Sequence, residues 1–306
     1  MPTNEAQDVL RKAVAAAVMA PSAHNTQPWR FRIVGSTLEI FTDSKRQLSV
    51  IDRERRQLVQ SCGCALFNAR VAVRALGYTD EVTVMLTDQE HPELVATLHL
   101  GPRIISSDSD LALMHAIPLR RTNRRPFLPR PVSNGDTNAL VETATLQGTW
   151  MERLLPAQKA GIAHLIDQAD RLQYGDPAFR DELSSWLIPF ASRRRDGIPF
   201  VEKEFGSALP FTVMRTLRSP GLGSDFGKLE EELVVGAPVV MVLGTAGDDP
   251  SDWLVSGEAL QAVLLHATHQ GLSAAFLNQV LEIPDLRGRV AELIGRTGCP
   301  QMVLRF

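Results

Sequence analysis

Apolar and polar residues change rhythm along the chain, and each change marks an element. Val9, Leu10, Ala13, Val14, Ala17 and Val18 recur every three or four positions, which predicts an amphipathic helix with one buried face. "WRFRIV" and "TLEIF" instead alternate on either side of Gly35 and Ser36, the pattern of a β-hairpin. Helical period returns over residues 53–76, after which "EVTVML" and "LVATLHL" read as strands. Residues 111–117 read as a helix stopped by Pro118, and residues 157–187 as helix with a break near 175–177. "APVVMVLGT" is a continuous apolar run of the kind a buried strand carries, residues 253–270 and 285–294 read as helices, and "QMVLRF" as a last strand. The expected class is α+β, with mixed or antiparallel sheets flanked by helices.

Sliding the chain against itself aligns residues 63–78 with residues 257–272 without a gap, so that Gly63/Gly257, Ala65/Ala259, Leu66/Leu260 and Gly77/Gly271 coincide. Each copy is an apolar helix followed by a glycine where a left-handed residue is often needed. Any two buried helices that end in glycine would align in this way. The sharper reading is a duplicated unit in one chain, with halves at about 1–115 and 116–306. Residues 189–227 break the rhythm, holding four prolines, five glycines and the run Arg193, Arg194, Arg195. A loop of that length within a compact chain is expected to be a functional cover, and Phe190, Phe200, Phe205 and Phe211 give it apolar surface with which to pack.

Composition narrows the classes. A chain of 306 residues with 44% hydrophobic and 22% charged content can bury a large core. Its net charge of -3 and pI near 6.2 argue against nucleic acid as a partner, so an anionic ligand must be met by a local basic cluster. Cys62, Cys64 and Cys299 form no C-x-x-C pair, and His266 and His269 lack a third ligand, so no metal site is expected. Arg11 and Lys12 before an alanine-rich stretch imitate a leader peptide, but Glu5 and Asp8 spoil its basic region. No run reaches the length of a membrane span. A soluble, cytoplasmic protein is the expectation.

Two polar concentrations stand out from this background. "APSAHNTQPWRF" crowds Ser22, His24, Asn25, Thr26 and Gln27 between two prolines, more hydrogen-bonding side chains than a plain turn uses. "LRRTNRRPF" sets Arg120, Arg121, Arg124 and Arg125 around Thr122 and Asn123, with Pro118 and Pro126 restricting the backbone. Guanidiniums this close repel one another unless water or an anion intervenes, and their forked donors suit phosphate. The bland alternative is a solvated basic loop. No G-x-S-x-G elbow, Walker loop or matched carboxylate pair occurs, and "GLGSDFG" has the wrong spacing for a dinucleotide fingerprint. Polar loops without an evident acid, base or nucleophile suit a cofactor that brings its own reactivity.

These residues resemble a known family. "APSAHNTQPWRF" is similar to the P-S-x-x-N-x-Q-P-W loop of the FMN-dependent nitroreductase superfamily, and "RRTNR" resembles its R-R-S-x-R loop, with Thr122 in the serine place. Ordinary members carry the two loops in the opposite order. Chain length, "RRTNRRPF", "GEALQAVLLHAT" and "PQMVLRF" together resemble the Acg-like branch, in which two nitroreductase halves are fused.

The resemblance implies a nitroreductase-like fold with an internal pseudo-twofold repeat, bound FMN, and NAD(P)H-dependent reduction of small electron-poor acceptors such as nitro compounds or quinones. It implies that Ser22, His24, Asn25 and Gln27 contact the isoalloxazine or ribityl groups, with Trp29 and Arg30 in support. Arg120, Arg121, Thr122 and Arg124 would hold the phosphate, the ribityl chain and the N1/O2 edge. Arg305 would make a further phosphate contact, and Asn278 and Gln279 would present backbone to flavin N5. The first half has no R-R-S-x-R loop of its own, so one flavin per chain is expected, and a monomer could be complete. The segment 189–227 resembles the branch's lid. Two other classes stay open: a protein that sequesters FMN under that lid without turnover, and a basic-loop binding module without a cofactor.

Overall fold

The computed structural model describes residues 3–86, 90–189, 192–200 and 233–306. Helix α1 (Thr3–Ala17) buries Leu10, Ala13 and Ala17 completely, and Val18, just past its end, is exposed. The chain then enters the hairpin β1 (Trp29–Val34) and β2 (Thr37–Thr42), paired from Trp29 opposite Thr42 to Val34 opposite Thr37. Helix α2 (Arg56–Ala75) starts three residues later than its apolar period suggests. The delay comes from Asp52, whose carboxylate accepts from the amides of Gln57 at 2.9 Å and Leu58 at 2.8 Å, while Arg55 turns through a left-handed φ of 68°. Strands β3 (Tyr78–Val84) and β4 (Leu94–Arg103) complete a four-stranded antiparallel sheet of order β1-β2-β4-β3, and α3 (Asp108–Ala116) follows.

A second set begins with α4 (Asn134–Leu146) and β5 (Trp150–Arg153), neither of which periodicity predicts. The long helical stretch is α5 (Pro156–Gly175) and α6 (Pro177–Trp186), broken where Asp176 caps α6 by accepting from Ala178 at 2.9 Å. Two short parallel strands, β6 (Leu187–Pro189) and β7 (Ile198–Phe200), come next. Beyond them are the buried strand β8 (Val240–Thr245), α7 (Pro250–His269), β9 (Ala275–Phe276), a 3-10 turn over Asn278–Leu281, α8 (Pro284–Ile294) and β10 (Cys299–Arg305). Their sheet is antiparallel with order β5-β8-β10-β9.

The fold is thus α+β, two antiparallel sheets flanked by helices, and the strand orders correspond. In each sheet the strand before the long helix is second, the strand after it lies at the edge, and the last strand sits between them. The long helices α2 and α7 share one apolar core with α1 and both sheets. They approach so closely that a Cβ on Gly63 would lie 2.2 Å from the Leu254 carbonyl oxygen, and one on Gly257 2.1 Å from that of Gln60. The glycine pair aligned by the repeat is therefore the point where the two backbones meet. Gly77 and Gly271, the second aligned pair, follow the two helices with φ of 85° and 74°. Phe190, Phe205, Phe211 and "GLGSDFG" lie outside the described residues. No described helix is long and apolar enough to cross a membrane, and the described residues hold no cluster of three potential metal ligands.

Candidate functional site

The loop between α1 and β1 has an unusual backbone. His24, Asn25 and Gln27 have φ of 47°, 54° and 51°, left-handed values that cost non-glycine residues energy and persist only where surroundings hold them. The Ser22 hydroxyl accepts from the Gln27 amide at 2.9 Å, and Arg46 reaches in to donate to the Thr26 carbonyl at 2.8 Å. The conformation turns His24 inward. Its Nδ1 is buried and finds no hydrogen-bond partner, and burial, helped by Arg124, pulls its pKa down to about 4. At neutral pH His24 carries no charge.

The basic loop lies against this one because α3 ends before Pro118 and the chain docks along the second sheet. Thr122 bridges to Ala274, just before β9, and the Asn123 amide donates to the Ala274 carbonyl at 2.9 Å. From β10, Arg305 donates to the carbonyls of Arg125 at 3.2 Å and Asn123 at 3.4 Å, and stacks 4.4 Å from the centroid of Phe127. Although only 2% exposed, Arg305 thereby clamps the loop's main chain. Arg121 turns back to donate to the carbonyls of Pro118 and Arg120, both at 2.8 Å. Arg120 differs: its Nε is buried without a partner, and burial, with Arg121 adding to it, lowers its pKa.

A cavity of about 520 Å³ opens between the two sheets' connections. Ser22, His24, Asn25, Arg120, Arg121, Thr122, Arg124, Asn278, Gln279 and Arg305 all line it, so ten of the thirteen residues singled out in the sequence converge. The other three do not. Trp29 is packed in the core. Arg30 lies on the outer edge of the first sheet, ion-paired with Glu93. Gln27 donates to the Arg195 carbonyl at 2.7 Å, and Asn25 donates to those of Gly197 at 2.9 Å and Arg195 at 3.3 Å. Residues 195–197 thus form a strap over the first polar loop, pinned further by an Arg46–Asp196 ion pair of 2.8 Å.

Several lining residues escape sequence reasoning. Gln57, Gln60, Ser61 and Cys64 come from the buried face of α2, and Asp170, Gln173 and Tyr174 from α5. Burial raises the Cys64 thiol strongly, and it donates to the Gly257 carbonyl at 3.1 Å, as an inert core thiol does. Glu282, just after the 3-10 turn, accepts from Gln57 at 3.0 Å and Gln173 at 2.6 Å. The available signal was amide side chains at apolar helix positions. The cavity therefore has a cationic stretch at Arg120, Arg121, Arg124 and Arg305 and a second stretch with Asp170 and Glu282.

A family profile described as "Nitroreductase family" matches residues 5–60, which contain the first polar loop. Over 299 residues the chain is 34% identical to "Putative NAD(P)H nitroreductase Rv3131" of Mycobacterium tuberculosis, an alignment covering 97% of this chain and 84% of that protein. The chain belongs to the nitroreductase family. A second nitroreductase relative, "Putative NAD(P)H nitroreductase acg" of the same organism, is 31% identical over 97% of this chain and 88% of its own length. Among solved structures, the FMN-dependent nitroreductase NfnB of Mycobacterium smegmatis, in complex with NADPH, aligns over 65% of this chain and 87% of its own. Its identity is 18% and the TM-score 0.40. A nitroreductase-type protein from Anabaena variabilis aligns over 97% of this chain and 72% of its own, at 11% identity and a TM-score of 0.46.

Proposed function

We propose that this cavity binds one FMN and that the chain is an NAD(P)H-dependent oxidoreductase for small electron-poor acceptors such as nitro compounds or quinones. The observation that carries the reading is Arg120 and His24 on the wall of one cavity. A buried guanidinium nitrogen and a buried imidazole nitrogen, both without partners, border a cavity of ligand size and await a polar ligand. An FMN phosphate matches the guanidiniums in charge and geometry. When bound, FMN supplies the hydride chemistry, which is why no acid–base dyad is required.

In this reading Arg120, Thr122 and Arg124 hold the phosphate and ribityl end and favour negative charge on the reduced ring, and Arg121 and Arg305, which donate to main-chain carbonyls, fix the loop that presents them. Ser22, His24 and Asn25 border the ring from the first polar loop, Gln27 fixes that loop's shape, and Asn278 and Gln279 face it from the 3-10 turn. The corresponding strand orders support residues 1–115 and 116–306 as two copies of one unit, with the cavity formed where they meet.

The test is direct. Purified protein is expected to be yellow, to release FMN and not FAD on denaturation at one per chain, and to oxidise NADH or NADPH when a quinone or nitroaromatic is added. Protein that stays colourless after incubation with FMN would refute the reading. The strap favours a second one, sequestration: residues 195–197 occupy the Asn25 and Gln27 amides, and Gly197, Ile198 and Pro199 also line the cavity. Bound FMN that neither nicotinamide reduces would decide for sequestration.

A further inference from the structure

Nicotinamide-driven reduction leaves a proton to be supplied. When NAD(P)H is oxidised to NAD(P)+, a hydride's two electrons and one proton pass to the acceptor. A quinone needs one more proton to become a hydroquinone. A nitro group needs one more to lose an oxygen as water and become a nitroso group. On the cavity wall, the Glu282 carboxyl is held in place by side-chain amides from two different helices, Gln57 of α2 and Gln173 of α5. Both of its oxygens accept one N–H, so its plane is fixed and a proton on either oxygen can point to the cavity.

We propose that Glu282 is a catalytic proton donor of this cavity, delivering the second proton to an oxygen of the bound acceptor. The proposal rests on the oxidoreductase reading above. In the step, the Glu282 O–H bond breaks, an O–H bond forms on the reduced acceptor, and water reprotonates the carboxylate. The surroundings suit an acid that must hold its proton until used. Burial pushes the Glu282 carboxyl up to about 7, against the pull of the Gln57 and Gln173 amides and of Arg56. Asp52, behind Arg56, adds to the rise. Among the other charged or titratable groups nearby, Asp170 and Tyr174 of α5 line the same cavity, and Arg287 of α8 and Asp248 act on Arg56; Arg56 donates to the Leu281 carbonyl at 2.8 Å and to that of Gln301 at 3.1 Å, so its charge is anchored beside the turn.

The experiment uses FMN-loaded wild type, Glu282→Gln and Glu282→Asp. Each is reduced anaerobically with NAD(P)H in one series and with dithionite in another, then mixed with a benzoquinone in a stopped-flow instrument. Reduction by NAD(P)H is expected to be the same in all three. Reoxidation by the quinone is expected to fall about 10²-fold in Glu282→Gln, to lose its decline above pH 7 and its solvent deuterium effect, and to recover partly in Glu282→Asp. Independently of turnover, an infrared band of a protonated carboxyl that titrates near pH 7 is expected in wild type and absent in Glu282→Gln. Equal reoxidation rates and pH profiles in wild type and Glu282→Gln, or no band lost, would overturn the proton role. Bound FMN that dithionite but not NAD(P)H reduces would overturn the proposed function alone, because the dithionite series still measures the acceptor step. Protein that takes up no FMN would end both.

Discussion

The two sheets share one frame and differ in what joins their strands. In the first, β1 passes to β2 through Gly35 and Ser36 alone, and the described residues between β3 and β4 hold no helix. In the second, residues 154–239 intervene between β5 and β8, and a 3-10 turn and α8 between β9 and β10. The cavity takes Asp170, Gln173 and Tyr174 from the first of these insertions and Asn278, Gln279 and Glu282 from the second. From the simpler unit it takes one strained loop and the buried face of α2. The frame positions; the connections carry the chemistry.

The frame can be broken at the helix crossing. Gly257→Val places side-chain atoms where the Gln60 backbone already is, so the expected loss is about 3 kcal/mol or more, read as a lower midpoint in urea unfolding. The connections can be tested by splitting two arginines that the sequence treats alike. Arg120→Ala removes a guanidinium whose buried Nε has no partner and is expected to weaken FMN binding by about 1.5–3 kcal/mol, roughly 10- to 150-fold. Arg121→Ala, whose Nη1 already donates to two carbonyls, should weaken it less than about 3-fold. Equal effects in a fluorescence titration would show that the contrast between the two arginines has no energetic content.

Stability against pH sharpens the comparison further, because the two units contribute opposite signs. Glu282 is raised from 4.5 to about 7 on folding, so its contribution is full below the unfolded value and is lost as pH rises through 7. His24 is depressed from 6.5 to about 4, so its contribution is full above 6.5 and is lost as pH falls towards 4. Glu282→Gln should therefore remove the alkaline-side decline and leave the acid-side one, a change of roughly 2–3 kcal/mol between pH 5 and 8 by chemical denaturation. The smallest effect is expected for Arg30→Ala, an exposed ion pair on the sheet edge: within about 0.5 kcal/mol in stability, with FMN affinity unchanged.

Much of this was readable from local pattern. Alternation found the hairpin and period found α1, α2 and α7, because each buries one continuous apolar surface. The elements it missed had another signal. Ser133 and Asp136 cap α4 just as Ser107 and Asp110 cap α3, so a Ser-x-x-Asp start marks a helix whose apolar face is weak. Two polar loops pointed to one side of the cavity because they hold more hydrogen-bonding and cationic side chains than a turn uses. Trp29 and Arg30 lie off the cavity wall: adjacency to a polar loop says nothing of which way a strand's side chains alternate. Glu282, Gln57 and Gln173 were hidden for a different reason: they come from three separated elements, made neighbours only by the packing of α5 on the 3-10 turn and of α2 against both.

The connection that carries the arginines also has a physical role as a tether. Residues 117–133 run from α3 to α4 and join two sheet-and-helix sets that share one core. Were those sets separate chains, their union would follow mass action and fall apart on dilution. A short covalent link replaces that dependence with an effective concentration of the order of millimolar, whatever the amount of protein present. The described walls of the cavity on both sides then stay together whatever the dilution.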